Sequence, residues 1–388
     1  MAFEPLPRVK ESFRRITRQL EPPPRWLFGA GPSNVSPRVL QAMSTPTVGP
    51  LDPAFLPLVR ETQDLLRYLF QTSNRFTLPI SGTGSAAMEA AIANLVEPGD
   101  VVLVLVNGYF GERLCEVLRR YGADVRRLER PWGQVFSLQE IQAGLVDHRP
   151  AILALVHAET STGAEQPLAE IGPLCRRYDA LLVVDAVSSL GGVPLFTDEW
   201  AIDVVYGASQ HCLSCPPGIA PLTMNERALD KVRRRQVPLS TWYFDTALLA
   251  QYWDPEIQSY HHTIPVNLLY ALREALRMVA EEGLVERWQR HRTNAELLWL
   301  GLEDMRLECH VASPHRLATL TAVRVPEVVN GPAVVRFLLE HYNIEIADGL
   351  GTLKGRVWRM GLMGYNSRAS NVMLLLKTLE DALRQARA

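Results

Sequence analysis

Lysine is almost missing from this chain: Lys10, Lys231, Lys354 and Lys377 are the only four in 388 residues. Chemistry that needs a primary amine side chain is confined to those positions. Charge of one sign is missing too, with 40 basic against 42 acidic side chains, so neither nucleic acid nor an anionic membrane is an expected partner. No apolar run approaches the roughly 20 residues of a membrane span, and the opening Met1-Ala2-Phe3-Glu4-Pro5 carries no apolar signal core. A soluble, cytoplasmic protein is the expectation. The cysteines, Cys115, Cys175, Cys212, Cys215 and Cys309, are odd in number and scattered, which argues against a disulfide framework and for reduced thiols.

What is present is a chain long and apolar enough, at 47% hydrophobic, for one large and one smaller domain. Residues 1–24 end in Pro22-Pro23-Pro24, a stiff extended stretch read as an N-terminal arm. From residue 55 onward, apolar runs of strand length alternate with amphipathic segments. Val101–Val106 is apolar throughout, as a strand buried on both faces requires, and 151–156, 181–184 and 203–206 repeat the pattern. Ser137 and Glu140 form a capping-box signature. The alternation predicts an α/β fold with a mainly parallel sheet flanked by helices. Long helices over 266–281 and 284–304 precede a second, smaller α/β pattern, and Gly283 marks the expected boundary between a large domain (25–282) and a small one (283–388).

Parallel sheets of this kind place ligands at the carboxyl ends of their strands, and the polar motifs fall there. Ser81-Gly82-Thr83-Gly84-Ser85 joins a strand to a helix, which suits a phosphate cradle as well as an ordinary turn. Asp185 ends a buried strand, either as a turn residue or as the anion that holds a proton on a pyridine nitrogen. Phe110 and Thr160 follow two further strands, offering an aromatic face and a hydroxyl. His211, Cys212 and Cys215 stand close together but lack a second ligand pair; packed thiols, and no metal, are the expectation.

Taken together, several stretches resemble the alanine-glyoxylate and serine-glyoxylate aminotransferases, class V enzymes of pyridoxal-phosphate fold type I, from about residue 25 to the C-terminus. They are Gly31-Pro32-Ser33-Asn34-Val35, Ser81-Gly82-Thr83-Gly84, Glu97-Pro98-Gly99-Asp100, Ser161-Thr162-Gly163, Val184-Asp185-Ala186-Val187-Ser188-Ser189, Pro216-Pro217-Gly218, Tyr260-His261-His262-Thr263 and Arg359-Met360-Gly361. The resemblance implies pyridoxal 5′-phosphate held by Thr83, Gly84 and Ser85 at the phosphate, Thr160 at the ring hydroxyl, Asp185 at the ring nitrogen, Val187 and Phe110 at the ring faces, and Gln210 alongside. It further implies Arg359 on the substrate carboxylate with Gly31 nearby, and Tyr260 and Thr263 reaching the site of the other subunit in a homodimer. The expected reaction moves an amino group from alanine or serine to glyoxylate or pyruvate.

The sequence departs from that family in two positions: Phe110 stands where the stacking ring is often tryptophan, a smaller platform but still aromatic, and His211 stands where the family carries its Schiff-base lysine. An imidazole can move a proton but cannot form the imine. The cofactor is therefore expected to be noncovalent, and three readings follow. The chain is an aminotransferase with impaired or altered turnover; or His211 is a base in other chemistry on noncovalent cofactor, as in sugar dehydratases of the same fold type; or the fold is kept as a noncatalytic binding module.

Overall fold

A computed structural model describes residues 18–254, 256–257 and 259–386. Of the arm expected over 1–24, residues 1–17 lie outside the described residues, as do residues 387–388. The large unit is built on a seven-stranded sheet, in spatial order Phe76–Ser81, Ile219–Met224, Val204–Tyr206, Leu181–Asp185, Ile152–Val156, Val101–Val106 and Asp124–Glu129. Six strands run parallel, as the alternating pattern predicts; Ile219–Met224 runs against both its neighbours.

The two strands least apparent in the sequence have physical reasons for being so. Ile219–Met224 contains Pro221, which ordinarily argues against an interior strand; here its carbonyl still accepts from Gly207 N at 2.9 Å, so the ring costs the ladder one donor, while Pro79 opposite it turns its own missing donor to the open edge of the sheet. Asp124–Glu129 is an edge strand with partly exposed charges, which discourage edge-to-edge pairing.

Helices cover the sheet. Gly84–Leu95 is rich in alanine and buried along most of its length, so it lies close to the strands. Tyr109–Arg120 and Leu138–His148 are amphipathic, and the second begins in a complete capping box: Ser137 Oγ accepts from Glu140 N at 3.3 Å and Glu140 Oε2 accepts from Ser137 N at 2.9 Å. The main core joins these helices to the sheet and to Phe55–Phe70 and Val266–Glu282.

A second core gathers around the antiparallel sheet of Leu320–Arg324, Val357–Gly361 and Ala347–Asp348, packed by Gly331–Tyr342 and Ala369–Ala386. Phe28 belongs to this core, and Trp26–Leu27 pairs in parallel with Ile344–Glu345, so residues 26–28 sit on the small unit although the sequence places them in the large domain expected over 25–282. Among the described residues no helix is long and apolar enough to cross a membrane.

The seam between the units is held by Arg287 on helix Leu284–Asp304. Its guanidinium is buried and donates to Gly191 O (2.8 Å), Cys212 O (2.5 Å) and Glu282 Oε2 (2.6 Å). One side chain thus ties the long helix to the loop after Asp185 and to the loop that carries His211. Arg287→Ala leaves those two buried carbonyls without this donor, while Glu282 keeps Arg290, and is expected to cost about 3 kcal/mol in urea unfolding. The surface control Arg292→Ala is expected to cost about 0.5 kcal/mol; equal costs would show that the seam does not depend on Arg287.

Candidate active site

Every loop at the carboxyl edge of the parallel strands is polar. Helix Gly84–Leu95 starts where Phe76–Ser81 ends, with Thr83 at its N-cap and no side-chain cap bond, so the Thr83 hydroxyl is uncommitted beside the open N–H groups of the first turn. A Cβ on Gly84 would stand 2.9 Å from Val187 Cγ2 and 3.3 Å from Gly207 O, so only glycine lets the helix end approach the neighbouring loops this closely.

These loops and the small unit enclose a cavity of about 280 Å³. Gly31, Thr83, Gly84, Ser85, Phe110 and Thr160 line it, and so do Asp185, Val187, Gln210, His211 and Arg359. Tyr260 and Thr263 do not. Both are exposed, with Tyr260 Oη 2.9 Å from Thr263 Oγ1, on a segment tied to the end of the first sheet strand by His262 Nε2 and Ser81 Oγ at 2.7 Å.

The electrostatics are set by burial. Asp185 Oδ1 accepts from Val187 N at 2.9 Å, and Tyr206, whose buried hydroxyl has no hydrogen-bond partner among the described residues, lies beside it. Burial outweighs both and pushes the Asp185 carboxyl up to about 7. Burial likewise pushes His211 down to about 4, so its ring is neutral near pH 7. Its Nδ1 lies 3.1 Å from Ser188 Oγ. Arg359 donates from Nε to Asp348 O at 2.8 Å and from Nη1 to Thr160 O at 3.4 Å, contacts that fix the plane of a fork in the cavity wall.

No lysine lines the cavity among the described residues. Lys231 pairs with Asp100 at 2.9 Å, Lys377 with Glu380 at 2.9 Å, and Lys354 is exposed after the turn Gly351–Leu353. The buried Cys212 thiol is pushed up to about 12 and donates to Ser188 O at 3.5 Å, the behaviour of a packed thiol.

Two contributors escape a reading of the sequence. Arg113 lines the cavity with its guanidinium 4.9 Å from the centre of the Phe110 ring; the i, i+3 spacing on one helix is the signal that finds it. Glu159 lies outside the cavity wall but is fully buried, accepting from the N–H groups of Phe110 and Gly111 at 3.2 Å each and from Ser161 Oγ at 2.5 Å. It anchors the N-terminus of the helix that presents Phe110 and Arg113.

A profile of the class-V aminotransferases matches residues 25–375. The chain belongs to this family. It is 43% identical over 372 residues to an alanine–glyoxylate aminotransferase of Mus musculus, covering 95% of this chain and 90% of that one. It is 43% identical over 384 residues to the (S)-ureidoglycine–glyoxylate transaminase of Bacillus subtilis (strain 168), covering 94% and 92%. The crystal structure of an alanine–glyoxylate aminotransferase from Nostoc sp. superposes with a TM-score of 0.95 at 56% identity, covering 97% of this chain and all of that one.

Aminotransferases of this class depend on pyridoxal phosphate, and the residues present suit that group. The open helix N-terminus and the Thr83 and Ser85 hydroxyls suit a phosphate; an unpaired buried carboxyl, Asp185, suits a pyridinium. Gln210 Oε1 is buried with no partner among the described residues, a polar atom awaiting a ligand.

Asp185 also makes stability depend on pH. Its folded value of about 7 lies above the ordinary 3.8, so between them the folded state holds the extra proton, and that stabilisation is lost as pH rises through about 7. From about pH 5 to about pH 8 this single group is expected to cost the cofactor-free protein about 3 kcal/mol. Asp185→Asn should abolish that share of the slope in urea unfolding at the two pH values while weakening cofactor binding. Parallel pH profiles for parent and variant would contradict the assignment.

Proposed function

We propose that the protein transfers an amino group from a small amino acid, alanine or serine, to glyoxylate or pyruvate, using pyridoxal phosphate that it holds without a covalent bond. The carrying observation is a cavity that joins Thr83, Ser85, Thr160, Asp185, His211 and Arg359 with no lysine among the described residues. The names of the relatives support the substrate class, since glyoxylate appears in those of the mouse, Bacillus and Nostoc proteins.

Bound here, the cofactor would supply an electron sink for the pair left when a substrate carbon loses its proton. The chain's residues do the rest. The helix N-terminus with Thr83, Gly84 and Ser85 holds the phosphate, and in a homodimer Tyr260 and Thr263 of one subunit complete that site in the other. Asp185 ionises against a pyridinium and keeps it protonated, which reverses the effect of burial on that carboxyl. Val187 and Phe110 flank the ring, Gln210 lies alongside, and Thr160 donates to the ring oxygen. Arg359 grips the substrate carboxylate close to Gly31.

His211 takes and returns the proton. A Cβ on Gly31 would come within 2.7 Å of His211 Nε2, so that edge of the ring stands at the mouth of the substrate position. A neutral imidazole there can accept a proton at neutral pH. It cannot replace the lysine in anchoring the cofactor, so exchange with incoming amines is slow and turnover impaired relative to a lysine enzyme.

The same arrangement fits a second reading, in which His211 serves as the base of another reaction on noncovalent cofactor. Its support is the neutral, partnered imidazole in the cavity. Amino acids separate the two readings, because only the transaminase converts bound pyridoxal phosphate to pyridoxamine phosphate when alanine or serine is added. Absence of that spectral change, with cofactor demonstrably bound, would remove the transaminase reading.

Covalency has its own test. Borohydride treatment of the cofactor-loaded protein, followed by denaturation, should release all cofactor and leave the polypeptide mass unchanged, whereas His211→Lys should retain one cofactor per chain. A phosphopyridoxyl-lysine peptide from the parent would overturn noncovalent binding.

A further inference from the structure

His211 is one end of a buried chain of polar groups whose middle member, Ser188, has no part in the proposed reaction. Its Nδ1 lies 3.1 Å from Ser188 Oγ, and Ser188 Oγ lies 2.5 Å from Thr160 Oγ1. Ser188 is fully buried, and its carbonyl is pinned by Thr319 Oγ1 at 2.8 Å and by the Cys212 thiol at 3.5 Å. The chain opens to the cavity only at its ends, through Thr160 and through the His211 ring.

A neutral imidazole carries one N–H, and which nitrogen bears it decides whether the ring edge in the cavity is a base or a donor. A lysine amine poses no such choice, because its hydrogens are equivalent. The tautomer here is set by the direction in which the hydroxyls point. In one arrangement Thr160 donates to Ser188, Ser188 donates to Nδ1, and the ring proton sits on Nε2. In the other, Nδ1–H donates to Ser188, Ser188 donates to Thr160, and Thr160 donates outward into the cavity; Nε2 is then a bare lone pair. Each arrangement holds one proton on each hydroxyl and one on the ring, so conversion needs only a relay: Nε2 releases its proton through cavity water to Thr160 Oγ1, Thr160 passes its own proton to Ser188, and Ser188 passes its own to Nδ1.

We infer that Ser188 is a positioning residue that couples Thr160 to His211, so that an acceptor oxygen docked on Thr160 turns the whole chain outward and makes Nε2 the base. The acceptor is of the phenolate class, and the inference rests on the reading that Thr160 meets the ring oxygen of the cofactor. Without an acceptor at Thr160, the ordinary preference of an imidazole for its proton on Nε2 is unopposed. The base therefore comes into being when the cofactor is seated. The device has the logic of a base oriented by a third group, with a serine and a threonine in place of a carboxylate.

Imidazole 15N spectra of histidine-labelled protein test this, with His211→Gln identifying the resonances and pyridoxamine 5′-phosphate as the probe. The absorbance of the probe reports binding independently of the tautomer. On saturation, Nε2 of His211 should move to the unprotonated position and Nδ1 to the protonated one in the parent and in Thr160→Ser. Ser188→Ala and Thr160→Val should bind the probe without that exchange; each breaks the chain at a different link, so the result does not rest on one variant. Binding in the parent with no exchange, or an exchange as large in both broken chains as in the parent, overturns the coupling while leaving the cofactor reading intact. A parent that binds no probe overturns the cofactor reading and the coupling with it.

Discussion

Burial of the seven-stranded sheet on both faces is the constraint from which the rest follows. Strands such as Val101–Val106 and Leu181–Asp185 are apolar along their length because helices cover them front and back, and each fully buried valine or leucine contributes about 2 kcal/mol by leaving water. Polar groups are thereby driven to the strand ends. With six strands parallel, the carboxyl ends coincide, and Ser81, Val106, Val156, Asp185 and Tyr206 each hand the chain to a loop on the same edge. The small unit closes over that edge and brings Arg359.

A pocket made this way imposes its own chemistry on whatever titrates inside it. Asp185 has too few donors to offset burial and waits for a cation; His211 has no anion beside it and stays neutral. Both conditions favour a ligand that carries a positive charge at one point and yields a proton at another. The loop that carries His211 is held from beneath. Arg287 fixes the backbone at Cys212, Ser33 Oγ donates to His211 O at 2.7 Å, and Gly31 leaves just enough room for the imidazole. A histidine is thus built into this loop and supported on several sides.

Much of this was legible in the sequence because the informative segments are local. The turn Ser81–Ser85, the strand ending in Asp185 and the Ser137 capping box each announce themselves within a few residues. What was hidden depends on elements meeting across the fold. Ser188 and His211 are 23 residues apart and touch only because two loops leave adjacent strands on one edge. Arg113 reaches the cavity through the rotation of its helix, which Glu159 fixes from another strand end. The strand Ile219–Met224 is masked by Pro221, whose single lost donor is tolerated because its carbonyl still accepts from Gly207 N and the rest of the strand pairs on both sides. The lysines are easily counted in the sequence, but only the fold shows that Lys231, Lys354 and Lys377 all lie away from the cavity wall.

The central claim is that an imidazole carries the proton in a transaminase pocket that no lysine lines among the described residues. Single-turnover conversion of protein preloaded with pyridoxamine phosphate and mixed with glyoxylate tests it most directly, because the step needs no covalent anchoring beforehand. The account predicts that His211→Ala slows this conversion by about 100-fold or more, the usual contribution of a positioned acid–base group, with cofactor occupancy unchanged. Equal rates in parent and variant would contradict it.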